Sequence, residues 1–415
     1  TLDMKNHTDR IVILSQYYLP ETGAPQNRLS DLALRFKDAG YDVRVLTAKP
    51  NYPIGQIYPG FTKGFSQESF QDGVPVTHCW IYPSNITIFH RLVNYLSFVF
   101  SSIIVGLFKL PKSDLVIVES PPLFLSISGL VLSRLKGAKL VLNISDLYPD
   151  TAISLELIKN KFIIKVFYWL EKWSYKVSAL ITGQTQGIVE SIKTRFPKKK
   201  VFLLTNGMSL GNIGVNNRSQ VVRGLGNNKD FIIGYAGIFG NGQGLHNLFE
   251  TAKDLQKFPS ITFHIYGDGP LKKELETRVQ EQSIYNIEFK GHYPHKEILE
   301  IMPSWDVGLV SLADISLMSG ALPSKMFEMM AMRLPILLIS PQGEASTLIE
   351  KAQAGVWVPP DSPELITRKL LELYENPGLR IELGNNAYEC VQNKYNREAI
   401  FQDFLTFLRK EDILS

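Results

Sequence analysis

Short apolar runs recur along this chain, each closed by glycine or proline and followed by a stretch with helical spacing of its apolar residues. RIVILSQYY (10–18) reads as a buried strand, and LPETGAP breaks it. A helix is expected from about 26 to 39, ending at Gly40, with YDVRVLTAKP as the next strand. DLVIVES (114–120), a helix near 122–135, AKLVLNIS (138–145), ALITGQ (179–184) and KVFLLTNGM (200–208) continue the alternation. It begins again at FIIGYAGIFGNGQGL (231–245) and runs through ITFHIYGDGP (261–270), IEFKG, WDVGLVSL, ILLIS and AGVWVP, with helices between. Strand, loop, helix and strand in this order predict an α/β chain of doubly wound, Rossmann-like parallel sheets. Residues 209–230 are rich in Gly and Asn with little apolar period, which marks a linker or loop. The expected division is 1–208, the linker 209–230, 231–394, and a terminal helix within 395–415.

Two helical stretches stand apart. Residues 92–108 (LVNYLSFVFSSIIVGLF) hold no charge, yet the run falls short of the roughly 20 residues that span a bilayer. Asn94, Ser97 and Ser101 share a face, so a buried or surface-docked helix is expected. Residues 161–177 place Lys161, Lys165, Lys172 and Lys176 on one stripe. Phe162, Ile163, Val166, Phe167, Trp169, Leu170 and Trp173 cover most of the rest. A helix lying on an anionic bilayer has this pattern, and core helices share it. KKK (198–200) extends the basic character.

Composition narrows the classes. A length of 415 residues suits two or three domains, each able to bury a core. With 45% hydrophobic and 20% charged residues the chain is globular, not disordered or fibrous. Cys79 and Cys390 lie far apart, which gives neither a disulfide framework nor metal-ligand spacing and matches a reducing cytosol. The opening TLDMKNHTDR has no signal-peptide core, so a cytoplasmic protein is expected. A net charge of +4 is too small to argue for nucleic acid. Its distribution says more: residues 159–200 hold ten Lys/Arg against two Glu, which points to a membrane surface instead.

Candidate chemistry gathers at SGALPSKMFEMMAMRLP (319–335). Pro323 and an N-cap Ser324 are expected to open a short helix, with Leu322 before them. The first N–H groups of such a helix suit a diphosphate, and Lys325 adds a full charge there. Glu328, one turn on, is placed to accept a pair of vicinal hydroxyls, as on a ribose. Together these describe a nucleotide-sugar site. The glycine-rich turns Gly237–Gln243–Gly244 and Gly267–Asp268–Gly269, at two successive strand ends, belong with it. Gly23 stands outside the first strand's carboxyl end, as either a turn residue or a ligand contact. Asp146 ends another buried strand, as a helix N-cap or as a site residue. The loop PNYPIGQIYPGF (50–61) is apolar enough to contact an acceptor or to pack. His292 and His295, in GHYPH, read as exposed loop histidines.

These motifs resemble those of the retaining glycosyltransferases of family 4, in the branch similar to colanic-acid and O-antigen fucosamine transferases. The resemblance runs from the first glycine loop to NREAIFQDFLTFL. In the family pattern two glutamates flank seven residues; Glu328 is the second, and Gly320 stands at the first. Ser145 occupies the place of a usual histidine before Asp146, and Ile238 and Gln243 replace an Arg and a Lys. Asn206-Gly207 resembles the pair that closes the first half. The resemblance implies the GT-B fold, two Rossmann-like domains facing across a cleft, with the last helix crossing back to an N-terminal acceptor domain. It implies sugar transfer from a nucleoside diphosphate donor, UDP by the branch, with retention, to a glycan or lipid-linked oligosaccharide in polysaccharide assembly. Asp146, Lys325 and Glu328 would then be catalytic. Phosphate contacts would fall to the glycine-rich turns, Lys325 and Arg28. No Asp-x-Asp occurs, so neither a metal nor another cofactor is expected. A nucleotide-sugar epimerase on the same fold and a non-catalytic nucleotide-sugar sensor are the alternatives; turnover of the donor separates them.

Overall fold

The computed structural model describes residues 9–52, 55–84, 88–154, 158–210 and 230–414. The chain forms two compact units, residues 1–205 with 401–415, and residues 206–400. All but residues 209, 210 and 230 of the expected linker lie outside the described residues.

In the first unit β1 (Arg10–Ser15) leads into α1 (Ala24–Asp38) and back to β2 (Asp42–Ala48). Pro25 sits in the first turn of α1, where its missing N–H has no cost, and Leu29, Leu32, Ala33 and Phe36 bury one stripe. Next comes a hairpin absent from the reading above, β3 (Ser66–Gln71) antiparallel to β4 (Val74–Cys79). Asp72-Gly73 turns it, both residues at positive φ, the chemistry of a two-residue hairpin loop. There follow α2 (Ile88–Lys109), β5 (Leu115–Ser120), α3 (Leu125–Lys136), β6 (Lys139–Ile144) and α4 (Asp150–Ser154). The series ends with α5 (Lys161–Val177), β7 (Leu180–Gly183), α6 (Gln186–Arg195) and β8 (Val201–Leu203). The sheet order is β3-β4-β2-β1-β5-β6-β7-β8, parallel throughout except for the β3 edge. β5 is buried along its whole length, as expected of a parallel strand covered on both faces.

The second unit contains β9 (Phe231–Ala236), α7 (Phe249–Leu255), β10 (Ile261–Tyr266), α8 (Lys272–Glu281) and β11 (Ile287–Gly291). It continues with α9 (His295–Ile301), β12 (Val307–Ser311), α10 (Ser324–Ala331), β13 (Ile336–Ile339) and α11 (Glu344–Ala352). β14 (Gly355–Val358), α12 (Pro363–Glu375) and α13 (Pro377–Lys394) complete it. Its sheet, β11-β10-β9-β12-β13-β14, is parallel throughout. The buried face of α10 is Met326, Phe327, Met329 and Met330, which leaves Lys325 and Glu328 together on the other side. Gly308 lets this helix approach β12, since a Cβ there would meet Met329 Sδ at 2.8 Å.

The last helix, α14 (Arg397–Lys410), passes from one unit to the other, and from Phe401 onward it belongs to the first. Phe401 and Phe404 pack on Phe36 with ring centroids 5.0 and 6.3 Å away. Phe404 also meets Phe202, and Arg409 donates to the Tyr41 hydroxyl at 2.8 Å.

Candidate functional site

In the second unit the strand order reverses between β9 and β12, and open α/β sheets bind ligands outside the carboxyl ends at such a point. Both glycine-rich turns lie there. The Gly237 N–H donates to the Tyr266 carbonyl at 3.0 Å and the Phe239 N–H to the Asp268 carbonyl at 2.9 Å. Gly267, at φ 140°, leaves no room for a side chain, because a Cβ would come 1.8 Å from the Gly237 oxygen. Gly269 is held the same way against Phe239, and the Ser311 hydroxyl donates to the Gly244 carbonyl at 3.1 Å. Backbone thus packs on backbone in one layer.

α10 brings Lys325 into this layer. Its Nζ donates to Gln243 Oε1 at 2.5 Å and to the Tyr235 hydroxyl at 3.0 Å, 4.1 Å from the Tyr235 ring centroid. A Cβ on Gly237 would stand 3.1 Å from that ammonium. The expected full charge is corrected: Lys325 is half-buried, and desolvation pushes its pKa down to about 7, with Glu328 opposing. Gln243, standing where the family pattern has a cation, holds the lysine instead.

Glu328 does not wait free for a diol. Its Oε1 lies 3.1 Å from Nε2 of His295, the first residue of α9. This hydrogen bond holds the His295 pKa above its ordinary value against the effect of burial. His295 is exposed as expected, but it opens α9 instead of lying in a loop and is engaged by Glu328; His292 is exposed in its loop. Ser324 does not cap α10 either. Pro323 holds the N-cap position, Ser324 is the first helical residue, and no side-chain cap bond forms. Leu322 is buried in the core. Gly320 is exposed, with open space where a side chain would start.

Asp268 serves its own turn. Its carboxylate accepts the Gly269 N–H at 2.7 Å and lies 3.5 Å from Lys272 Nζ, contacts that hold its pKa below the usual range. Asn206 is buried, and its neighbour Gly207 is pressed against the Tyr395 carbonyl while Met208 bridges to Asn396. That pair closes the junction with the end of α13.

The first unit has its own polar cluster at the carboxyl ends of β5, β6 and β7. Arg28 Nη2 reaches Glu119 Oε1 at 2.5 Å and the Ser145 hydroxyl at 2.9 Å. Asn143 donates to Glu119 Oε2 at 2.5 Å, Gln184 donates to Ser145 at 2.7 Å, and Ser145 donates to Glu119. The reading of Arg28 as a phosphate ligand is corrected, since it is buried and paired with a carboxylate. Glu119 escaped the sequence reading. Its signal was a single acid inside the buried run LVIVES (115–120), which obliges a partner. Asp146 follows Ser145 and reaches the surface; desolvation by the groups packed around it pushes the pKa of its carboxyl up, and Arg28 opposes this. Gly23 is the N-cap of α1, with a carbonyl that accepts the Asn27 N–H at 3.1 Å.

Among the described residues, α2 is the one helix long and apolar enough to cross a membrane by length and composition. One of its faces packs in the core through Phe98, Val99 and Val105. Its polar stripe ties down residues 80–82: Asn94 donates to the Tyr82 carbonyl at 2.7 Å, and Ser97 accepts the Tyr82 N–H at 2.9 Å. Phe89, Leu96, Phe100 and Leu107 face outward. α5 is capped by Asn160, which accepts two N–H groups, and buries Phe167, Leu170 and Tyr175. Phe162 (75% exposed) and Trp169 (63%) point away from the core, and its four lysines are exposed. The lysine run 198–200 adds less than expected: Lys199 donates to the Lys176 carbonyl and Lys200 pairs with Glu411 at 2.5 Å. Among the described residues no cluster of three His, Cys, Asp or Glu is placed to hold a metal ion.

Two family models match the chain, Glycosyl transferase 4-like domain over residues 23–207 and Glycosyl transferases group 1 over residues 218–390. The putative colanic acid biosynthesis glycosyl transferase WcaI of Escherichia coli K12 is 24% identical over 425 residues, 96% of this chain and 100% of that protein. Among solved structures, sucrose-phosphate synthase from Thermosynechococcus elongatus superposes with a TM-score of 0.72 at 16% identity, covering 97% of this chain and 98% of the other. Anabaena HepE in complex with UDP-glucose gives 0.68 at 16% identity, over 97% and 99%. These likenesses establish the GT-B fold.

Proposed function

The chain belongs to the group 1 glycosyltransferases, and from that premise we propose that it transfers a sugar from a UDP-sugar with retention of configuration and without a metal ion. Lys325 carries this reading. A lysine amine whose pKa lies near neutrality, clamped by Gln243 and Tyr235 beside the Gly237 turn, takes up a proton as a diphosphate approaches and then, as an ammonium, opposes its charge. Glu328, one turn along, accepts the ribose hydroxyls through the oxygen that His295 leaves open. UDP-glucose bound to HepE, on the same fold, supports the choice of donor.

In the reaction the bond from the anomeric carbon to the diphosphate oxygen breaks as the acceptor oxygen bonds to that carbon. The acceptor proton passes to the departing diphosphate, whose charge Lys325 and the turn N–H groups meet. In the first unit Asp146 orients the acceptor hydroxyl, with Ser145, Glu119 and Arg28 fixing the end of its strand. The acceptor is a glycan or a lipid-linked oligosaccharide of polysaccharide assembly, in keeping with the colanic acid role in the name of WcaI. The outward aromatics and lysines of α5, with the apolar stripe of α2, support a peripheral position on the cytoplasmic membrane surface.

Calorimetry against UDP, GDP and TDP, each with and without EDTA, tests the donor side. Micromolar binding of UDP, unchanged by EDTA, is the expected result. Binding abolished by EDTA would remove metal independence, and no binding of any of the three would remove the donor site. Following the anomeric proton of the product by NMR tests retention.

A further inference from the structure

The chain enters the second unit at Asn206 and leaves it at Ile400. Inside the unit these two segments are laced together. The Met208 N–H donates to the Tyr395 carbonyl at 2.8 Å, and the Arg397 N–H donates to the Met208 carbonyl at 3.1 Å. Gly207 leaves no clearance beside Tyr395, since a Cβ there would stand 2.3 Å from the Tyr395 oxygen.

The ring of Tyr395 reaches the helix of the donor site. It lies on Phe327 of α10, with centroids 4.5 Å apart and planes inclined at 32°. Phe327 is fully buried, two residues after Lys325 and one before Glu328. Met208 packs in the same core as Met326, Phe327 and Met330. A second link runs through Arg397, whose charge is near enough to His295 to oppose the rise in the histidine's pKa. A close-packed interior passes displacement on, because no void takes it up. A shift of Tyr395 therefore reaches Lys325, with its bonds to Gln243 and Tyr235, and Glu328, with its bond to His295.

Resting on the donor reading above, we propose that Tyr395 is a positioning residue for nucleotide binding. Its ring on Phe327 fixes α10, and the same contact couples an occupied donor site to the laced segments 206–208 and 395–397. Coupling of this kind is reciprocal. A nucleotide that favours the packed arrangement of α10 also holds Tyr395, and so protects the two N–H groups bound between the segments.

Amide hydrogen exchange of the whole protein, with and without saturating UDP, tests this. The Met208 and Arg397 N–H groups are expected to exchange about fivefold or more slowly with UDP bound. Tyr395→Ala is expected to weaken UDP binding about tenfold and to abolish that protection. Tyr395→Phe, which keeps the ring, is expected to retain both. A residue needed only for stability would lower the thermal melt and leave the protection by UDP intact. Gly207→Ala displaces the Tyr395 carbonyl and is expected to weaken UDP binding in the same direction. If Tyr395→Ala does not fold, that variant and the wild-type exchange decide the matter. Unchanged exchange in a wild type that binds UDP, or wild-type affinity in a folded Tyr395→Ala, overturns the coupling and leaves the donor reading standing. A wild type that binds no UDP overturns the donor reading, and the coupling falls with it.

Discussion

In the proposed donor site Lys325 and His295 share one dependence on pH. The Lys325 pKa is depressed to about 7, so below that value the lysine is charged and a diphosphate is held more tightly. The His295 pKa is raised by Glu328, so the ion pair is fully present below the ordinary histidine value and is lost as pH rises through the raised one. Donor affinity is therefore expected to fall as pH climbs from 6 to 8. The two contributions separate by mutation. At pH 8 the wild type is expected to take up close to one proton on binding UDP, read from calorimetry in buffers of different ionisation enthalpy. Lys325→Met is expected to lose that uptake and about tenfold or more in affinity. An uptake that survives in the variant would move the titration to another group. His295→Ala is expected to raise donor KM about three- to tenfold with little change in kcat, because Glu328 loses its orientation. It should also remove one titration from the KM profile, whereas a merely structural histidine would lower stability and leave that profile intact.

At the scale of elements, α5 shows how one sequence pattern divides between two environments. Phe167, Leu170 and Tyr175 go to the core, and the Glu171–Arg195 pair, two contacts of 2.8 Å, fastens the helix to α6. Phe162 and Trp169 are left outside with the lysines. The double substitution Phe162→Ser with Trp169→Ser is expected to weaken binding to phosphatidylglycerol-rich vesicles about tenfold or more without altering UDP affinity. Salt should weaken the wild type in the same assay, since each lysine near an anionic surface contributes about 1 kcal/mol. Vesicle binding unmoved by the double substitution would return α5 to an ordinary surface helix. In α10 the alternation of Met and Phe with Lys325 and Glu328 sends the first set inward and leaves the other two on the opposite side, Lys325 beside Gly237 and Glu328 beside His295. The one-turn spacing of Lys325 and Glu328 already set them on one face.

At the scale of the molecule, the chain returns to its first unit at the end, and α14 closes that unit's core through Phe401 and Phe404. Phe404 is fully buried, so Phe404→Ala is expected to cost the first unit about 3–5 kcal/mol. UDP affinity, which the proposed donor site places in the second unit, should persist; parallel loss of both would show that the two units depend on one another. The sequence by itself determined the two alternating α/β halves, the glycine turns at strand ends and the face shared by Lys325 and Glu328. Each follows from local periodicity or from backbone conformations that few residues adopt. Only the tertiary structure decided the state of the charges. Arg28 lies 91 residues from the Glu119 that takes it, His295 lies 33 from Glu328, and Gln243 lies 82 from the Lys325 it holds. Such pairings are set by which strand ends a fold brings together, and desolvation depends on everything that packs around them. A spacing along the chain can therefore set candidate residues on one face, while burial and partners reached from afar decide what those residues are able to do.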